Sequence, residues 1–360
     1  MKKKTRNIIL IAVVAAVGVA ALAVALHGSR KATFKQDFHI ADTSTVTRIF
    51  LADKQDHQVL LTRVADSSWL VDNQYPANQP LIDLFLETLN TMRIRQQVNR
   101  NAVPTIIKDL AARAIKVEVY QREPLIDWFG HRLRLFPRER LTATYYVGRE
   151  TQDMLGSYMF RDGDKVPCII HIPGFRGFPT PRFVTDPLKW RSHTIVDLTV
   201  GQIERVELEI PASPEESFAV VRTPEGFDFQ LLATHQRVPA FDTARVARFL
   251  ASFTWLNFDE FASIVPNTAD SSLTGAPRTI LRIIDTAGIT RQVATYIKYT
   301  NPQDLEFIAD PETYENFDVN RLYAIISGGS NPNAPIDTVL IQYHIFDNIL
   351  QPASFFLGKQ

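Results

Sequence analysis

The sequence predicts an α+β protein: an N-terminal transmembrane helix followed by two repeated units, each an antiparallel sheet plus one packed helix. Three observations predict it. An uncharged apolar run fills residues 8–26 between basic flanks. Short segments beyond it alternate apolar and polar residues as half-buried strands do. The order of those segments, with a capped amphipathic helix among them, occurs twice.

The bulk numbers suit such a chain. Its 360 residues are enough for two ordinary domains. With 45% hydrophobic and 22% charged residues it has ordinary globular composition. Lys and Arg (39) balance Asp and Glu (39), so the surplus of positive charge that drives nucleic-acid binding is missing. The single cysteine, Cys168, allows no internal disulfide and reads as a small buried hydrophobe in the strand-like Val166-Pro167-Cys168-Ile169-Ile170-His171-Ile172.

Residues 1–31 are expected to form a basic cytoplasmic tip and an anchor. Met1-Lys2-Lys3-Lys4-Thr5-Arg6-Asn7 precedes the apolar run, and His27-Gly28-Ser29-Arg30-Lys31 follows it. At ~1.5 Å per residue the run is ~28 Å long, close to a ~30 Å hydrocarbon core. The positive cluster keeps the N-terminus cytoplasmic and sends the bulk of the chain outward. A cleaved signal peptide is the rival reading. The run is longer than a signal core of ~7–15 residues, and basic residues follow it at once.

The repeat is read element by element. Val46-Thr47-Arg48-Ile49-Phe50-Leu51 matches Ile203-Glu204-Arg205-Val206-Glu207-Leu208 at a separation of 157 residues. Trp69-Leu70-Val71 matches Phe227-Asp228-Phe229 at 158. Tyr75-Pro76 matches Val238-Pro239. Asn78 and Asp242 then follow as helix N-cap acceptors. Ile82, Phe85, Leu86, Leu89 and Met92 form one apolar stripe, and Val246, Phe249, Leu250, Phe253 and Leu256 repeat it at 164. These patterns predict helices over residues 80–95 and 243–257. Val117 and Val119 match Leu281 and Ile283, again at 164. The units are expected at residues 35–198 and 199–360.

The first unit carries two inserts, at 121–141 and 173–187. The second joins its matching strands by Ala287-Gly288-Ile289 alone. Loops on a rigid scaffold often carry contacts, so partner-binding residues are sought here. In the first insert they are Trp128, Phe129, Arg132, Arg134, Phe136 and Arg138; in the second, Phe175 and Phe178. Aromatics interleaved with Arg are the composition of interface hot spots, and of segments that settle on an anionic membrane surface. A long β-hairpin packed on its own domain is the plainer alternative.

The pattern resembles the bacterial domain of unknown function 4340 family. The residues that carry the resemblance are Val46 to Leu51, the Trp69-Leu70-Val71 return, Pro76 to Leu89 and Trp190-Arg191. The resemblance implies an extracytoplasmic, membrane-tethered domain, associated in some bacteria with gliding-type ABC transporter components. It implies no catalytic residues. The aromatic-basic insert at 121–141 departs from the family pattern.

No catalytic, metal or cofactor motif emerges. Gly-x-Gly-x-x-Gly and Gly-x-Ser-x-Gly are absent, and the eight histidines form no His-x-x-x-His pair. Asp259-Glu260 and Glu215-Glu216 read as solvated element ends, and Asp310-Pro311-Glu312 as a helix start. Trp69 is expected in the core, since its counterpart Phe227 shares only bulk. The expected function is therefore a non-enzymatic, inner-membrane-tethered periplasmic subunit or scaffold of a cell-envelope complex. It meets the membrane through residues 8–26 and a protein partner through the first-unit inserts, without nucleic acid or cofactor. A periplasmic glycan or peptidoglycan binding module is the alternative, and a hydrolase with a non-local site a third.

Overall fold

A computed structural model describes residues 38–128, 133–264, 273, 275–299, 317–329 and 336–358; side chains are described outside 125–135 and 264. The anchor predicted at residues 8–26 lies outside them. Among the described residues no helix is long and apolar enough to cross a membrane. The chain divides into two compact units at Arg191/Ser192. Both are mostly antiparallel sheet with a few helices.

In the first unit, β1 (Val46–Ala52), β2 (Gln58–Ala65), β3 (Ser68–Val71) and β4 (Tyr75–Pro76) form a meander. Helix α1 (Gln79–Thr91), edge strand β5 (Arg93–Gln97) and helix α2 (Val103–Arg113) follow. Then come β6 (Ile115–Trp128), β7 (Leu133–Glu150), β8 (Ser157–Arg161), β9 (Cys168–His171) and the one-turn helix α3 (Pro187–Trp190). The sheet order is β4-β3-β2-β1-β6-β7-β8-β9-β5, nine strands among the described residues.

The second unit opens with β10 (Thr194–Val196), which pairs with β15 (Leu256–Asn257) as a separate ribbon. Its main sheet uses β11 (Ile203–Glu209), β12 (Phe218–Thr223), β13 (Gly226–Leu231), β14 (Arg237–Val238), β16 (Glu260–Phe261), β17 (Thr279–Asp285), β18 (Thr290–Tyr299), β19 (Phe317–Gly328) and β20 (Asp337–Gln342). Helix α4 (Thr243–Ala251) follows β14, and α5 (Tyr343–Phe346) and α6 (Ala353–Leu357) follow β20. The order β14-β13-β12-β11-β17-β18-β19-β20-β16 is the first unit's order, strand for strand.

Local chemistry explains the shared elements. The apolar positions of β1 (Val46, Ile49, Leu51) and of β11 (Ile203, Val206, Leu208) are all fully buried. Ile49 faces Val119 across the ladder, and Val206 faces Ile283. A register shift falls at the same place in both, between Val46 and Arg48 and between Ile203 and Arg205. Asn78 accepts a hydrogen bond from Leu81 N and Asp242 one from Arg245 N, each capping its helix. Phe85 and Phe249 bury the helix stripes against the sheets.

Each unit is then closed by its last described helix. Asn78 N donates to Trp190 O (2.7 Å) and Asp242 N to Phe356 O (2.8 Å). The Trp190 ring meets Phe85 edge-on at 5.2 Å; the Phe356 ring meets Phe249 the same way at 5.4 Å.

Three expectations need adjustment. Helix α1 stops at Thr91 rather than 95, because Arg93 onward pairs as edge strand β5 with β9. Helix α4 stops at Ala251; Trp255, at φ 59°, then helps reverse the chain into β15. The one-helix expectation fails for the first unit, where α2 packs on the other face of the sheet over its own cluster of Val98, Ile106, Leu110, Ala114 and Ile169. Trp69 and Phe227 occupy matching register positions, opposite Arg63 and Arg222. Trp69 is buried, whereas Phe227 is only half-buried.

Candidate functional site

The first-unit insert at 121–141 is built as an extension of the β6–β7 ladder. Pairing runs unbroken in direction from Ile115–Val147 to Trp128–Leu133, with one shift between Val119 and Tyr120. Its base is tied to the start of β1. Thr142 Oγ1 donates to Gln121 Oε1 (2.6 Å), and Gln121 Nε2 to Thr45 Oγ1 (2.7 Å). Thr47 Oγ1 donates to Glu139 Oε1 (2.7 Å), and Arg48 pairs with Glu139 (3.3 Å) while lying 4.1 Å above the Tyr120 ring.

Beyond that base the described side chains are mostly exposed, Arg122 and Glu123 on one strand among them. Residues 136–141 are all exposed, with Phe136 at 64% and Leu141 at 49%. Pro124 faces Pro137 across the ladder, so neither can donate the bond a strand position normally supplies. Phe136 sits at φ 55°, a left-handed conformation that costs a non-glycine residue energy. A strained, exposed aromatic is a reason to look for function there.

The predicted site residues separate as follows. Arg138 is exposed beside Phe136. Trp128 and Arg134 have strand backbones, in β6 and β7, and their side chains lie outside the described ones, as do Phe129 and Arg132 altogether. In the second insert Phe175 is 44% exposed beneath the Arg182 guanidinium at 4.7 Å, and Arg182 Nη1 donates to Thr88 Oγ1 (2.9 Å). Phe178 is half-buried. Among the described residues no hydrogen bond, ion pair or ring contact joins the two inserts.

Polar clusters elsewhere have structural partners. Asp53 accepts from His57 Nδ1 (2.9 Å), Thr185 Oγ1 (2.9 Å) and two backbone amides of its own turn. Burial alone would raise its carboxyl pKa, but these bonds together leave it lowered. The carboxylate bridges His57 and Thr185 and accepts two amides of its own stretch, so it holds that turn. Glu216 accepts from Ser354 N (2.8 Å). Cys168 is buried, and desolvation, helped by Asp164, raises its thiol pKa. Among the described residues no three His, Cys, Asp or Glu side chains gather where a metal could bind. The segment Asp310-Pro311-Glu312 lies outside them.

Sequence reasoning missed one concave feature. Between α2 and the outer face of the first sheet lies a cavity of about 210 Å³, lined by Lys54, Ile107, Leu110, Ala111, Tyr146 and Phe160. The signal for its roof was legible: Val103, Ile106, Ile107 and Leu110 recur at helical spacing, with Pro104 in the first turn.

The fold defines a class: a chain of two antiparallel α+β units with matching strand order, the first carrying a projecting ribbon. A family profile described as a domain of unknown function (DUF4340) matches residues 69–276, and the chain belongs to this family. The match begins in β3 of the first unit and ends before β17 of the second, so it spans the boundary between them. No curated protein and no solved structure matches the chain.

Proposed function

We propose that this protein is a membrane-tethered, extracytoplasmic scaffold subunit of a cell-envelope complex, built from two copies of one α+β unit. The first copy meets a protein partner through its β6–β7 ribbon. The observation that supports this reading is the contrast between equivalent hairpins. β17 and β18 turn through Thr286-Ala287-Gly288, with Asp285 N bonded to Ile289 O at 3.1 Å, whereas β6 and β7 run on to Trp128 and Leu133. A sheet of the same order is made without the extension. Ordering its residues costs ~1–2 kcal/mol each in backbone entropy alone. Exposed Phe136 and Leu141, with Arg138 and Arg140 between them, suit a partner surface. The residues outside the described ones that bear on the reading are the apolar run at 8–26, which supplies the tether, and the aromatic-basic tip.

The test is a photo-crosslinking amino acid placed at Phe136 in intact cells, with Thr286 of the short hairpin as the matched control. A discrete protein adduct from position 136, absent from 286, is the expected result. Equal labelling at both positions, or none at 136, overturns the assignment of the ribbon. Protease added to spheroplasts should digest both units; protection would overturn the extracytoplasmic placement.

A further inference from the structure

We infer that the β6–β7 ribbon lies on the bilayer, one face bedded among the head groups of an anionic leaflet and the other left to the partner; this rests on the tethered reading above. The ladder defines the two faces. Its pairs keep one offset from Gln121–Arg140 to Trp128–Leu133, so alternate pairs share a face. One face carries Pro124 with Pro137, Ile126 with Leu135 and Trp128 with Leu133. The other carries Gln121 with Arg140, Glu123 with Arg138 and Asp127 with Arg134. The ribbon is therefore amphipathic at a period of two, apolar on one side and cross-strand charged on the other. Exposed Phe136 lies two residues from Arg138 and shares the charged face, where the partner contact is placed. The one charged pair on the apolar face, Arg122 with Glu139, sits at its root, where Thr47 and Arg48 hold Glu139.

Such a ribbon needs cover. Two strands alone are marginal in water, and this pair has left both its neighbours: pairing with β1 ends at Gln121 and pairing with β8 at Tyr145. Pro124 and Pro137 discourage a further strand from adding along its edges, so the apolar face is where cover comes. The path of the chain selects lipid. Eleven residues, 27–37, separate the apolar run at 8–26 from Phe38 and span at most ~40 Å. Phe38 is fully buried, and its carbonyl accepts from the Tyr145 hydroxyl (2.7 Å). A few residues on, Asp42 O and Thr45 Oγ1 both accept from Gln121 Nε2, at 3.2 and 2.7 Å. The tether therefore joins the first unit beside the ribbon's root. At ~3.3 Å per residue the strand from Gln121 to Trp128 is ~23 Å long, of the same order as the tether's reach. Charge selects lipid over a second copy. Residues 122–140 hold five arginines against three acids, so two ribbons laid together repel, whereas anionic head groups attract them. An apolar face backed by arginines, with a tryptophan in its last pair, is the composition of interfacial segments.

The experiment uses the full chain in nanodiscs of phosphatidylcholine and phosphatidylglycerol, with acyl chains brominated near the head group. A bimane fluorophore is attached through Pro137→Cys, Arg138→Cys, Arg140→Cys or Leu141→Cys, one at a time; the native Cys168 is buried and stays unlabelled. Leu141 pairs with Tyr120 and shares the apolar face. Bromolipid should quench the label at 137 and 141 about twofold more than at 138 and 140. Adding Ile126→Asp and Leu135→Asp should bring quenching at 137 down to the level at 138, with the melting temperature unchanged. A chain that does not stay with the discs overturns the tethered reading and this inference together. A retained chain quenched equally on both faces overturns the bedding of the ribbon alone. Blue-shifted emission at 137 without quenching overturns it as well, by giving the apolar face to protein.

Discussion

Trp190 and Phe356 stand at the same place in two sheets of the same order. Each gives its carbonyl to the amide of a helix N-cap residue, and each sets its ring edge-on to the central phenylalanine of that helix. They differ in how the neighbours fill space. In the first unit the Trp190 indole also donates to Val184 O (2.9 Å), and Phe183 completes the packing against Phe85 at 5.3 Å. In the second the same role falls to phenylalanines: Phe218 stacks on Phe229 at 4.9 Å and lies tilted against Phe356 at 5.0 Å. The backbone frame is held constant and the aromatic filling varies, as expected where volume and pattern dominate core choice.

The sharpest way to break this equivalence is to empty both helix stripes. Phe85→Ala and Phe249→Ala each remove a ring that is 1% exposed, and each should cost ~3–5 kcal/mol of its own unit's stability in denaturant titrations. A large loss at one position with little at the other would mean that the two helices do not do the same work.

The caps come next in size. Asn78→Ala and Asp242→Ala should each cost about 1 kcal/mol, since each loses one side-chain bond to a first-turn amide. Asp242 also pairs with Arg245 at 3.2 Å, an exposed contact of small value, so the two losses should agree closely.

Acid distinguishes the units by where their carboxylates sit. Burial would raise the pKa of Asp318, but a bond from Asn320 N, the Lys298 ammonium at 3.1 Å and the charge of Arg321 leave it lowered. In the first unit the exposed Asp153 is held at about 2, chiefly by the Thr151 hydroxyl and then by Arg95. A carboxyl lowered in the folded state stabilises it above the ordinary carboxylate pKa, and that contribution fades as pH falls through the folded value. Asp318→Asn should therefore lower the second unit's melting temperature at neutral pH, and the gap from the unaltered protein should close on acidification below the ordinary carboxylate range. A gap that widens in acid would refute the assignment.

The smallest effect should come from the most visible difference. Replacing residues 122–139 with the Thr-Ala-Gly turn of the second unit should leave the first unit's melting temperature nearly unchanged, because the bonds lost with Glu139 are exposed ones. A drop of many degrees would make the ribbon part of the core and remove the case for a contact surface.

Much of this frame was legible because it is periodic. The alternation in β1 and β11, the stripe from Ile82 to Leu89 and the caps at Asn78 and Asp242 each carry a period or a position-specific side chain. What stayed hidden lacks one. The match of Trp190 to Phe356 rests on a single aromatic in a one-turn helix, set by tertiary contact alone. The edge strand β5, Arg93–Gln97, exposes three of its five residues and reads as a polar tail of α1. Helix α2 did carry a period and a first-turn proline, Pro104, but no side-chain N-cap at Ala102 marks where it begins. The cavity beneath it depends on the size of Ala111 and on cross-strand register, which no local pattern reports.

The closing bonds from Asn78 to Trp190 and from Asp242 to Phe356 have a consequence for the order of folding. Each ties a helix start to a segment more than a hundred residues further along the chain. Closing so long a loop is entropically slow, and the interactions that offset it arrive last. Each sheet then assembles with its helix N-terminus unlatched and with Phe85 or Phe249 still lacking its last ring partner. During synthesis the first unit can latch once Trp190 has emerged, while the second waits for Phe356. The chain thus matures in two stages, and a ribosome stalled between them would leave one finished unit followed by an open one.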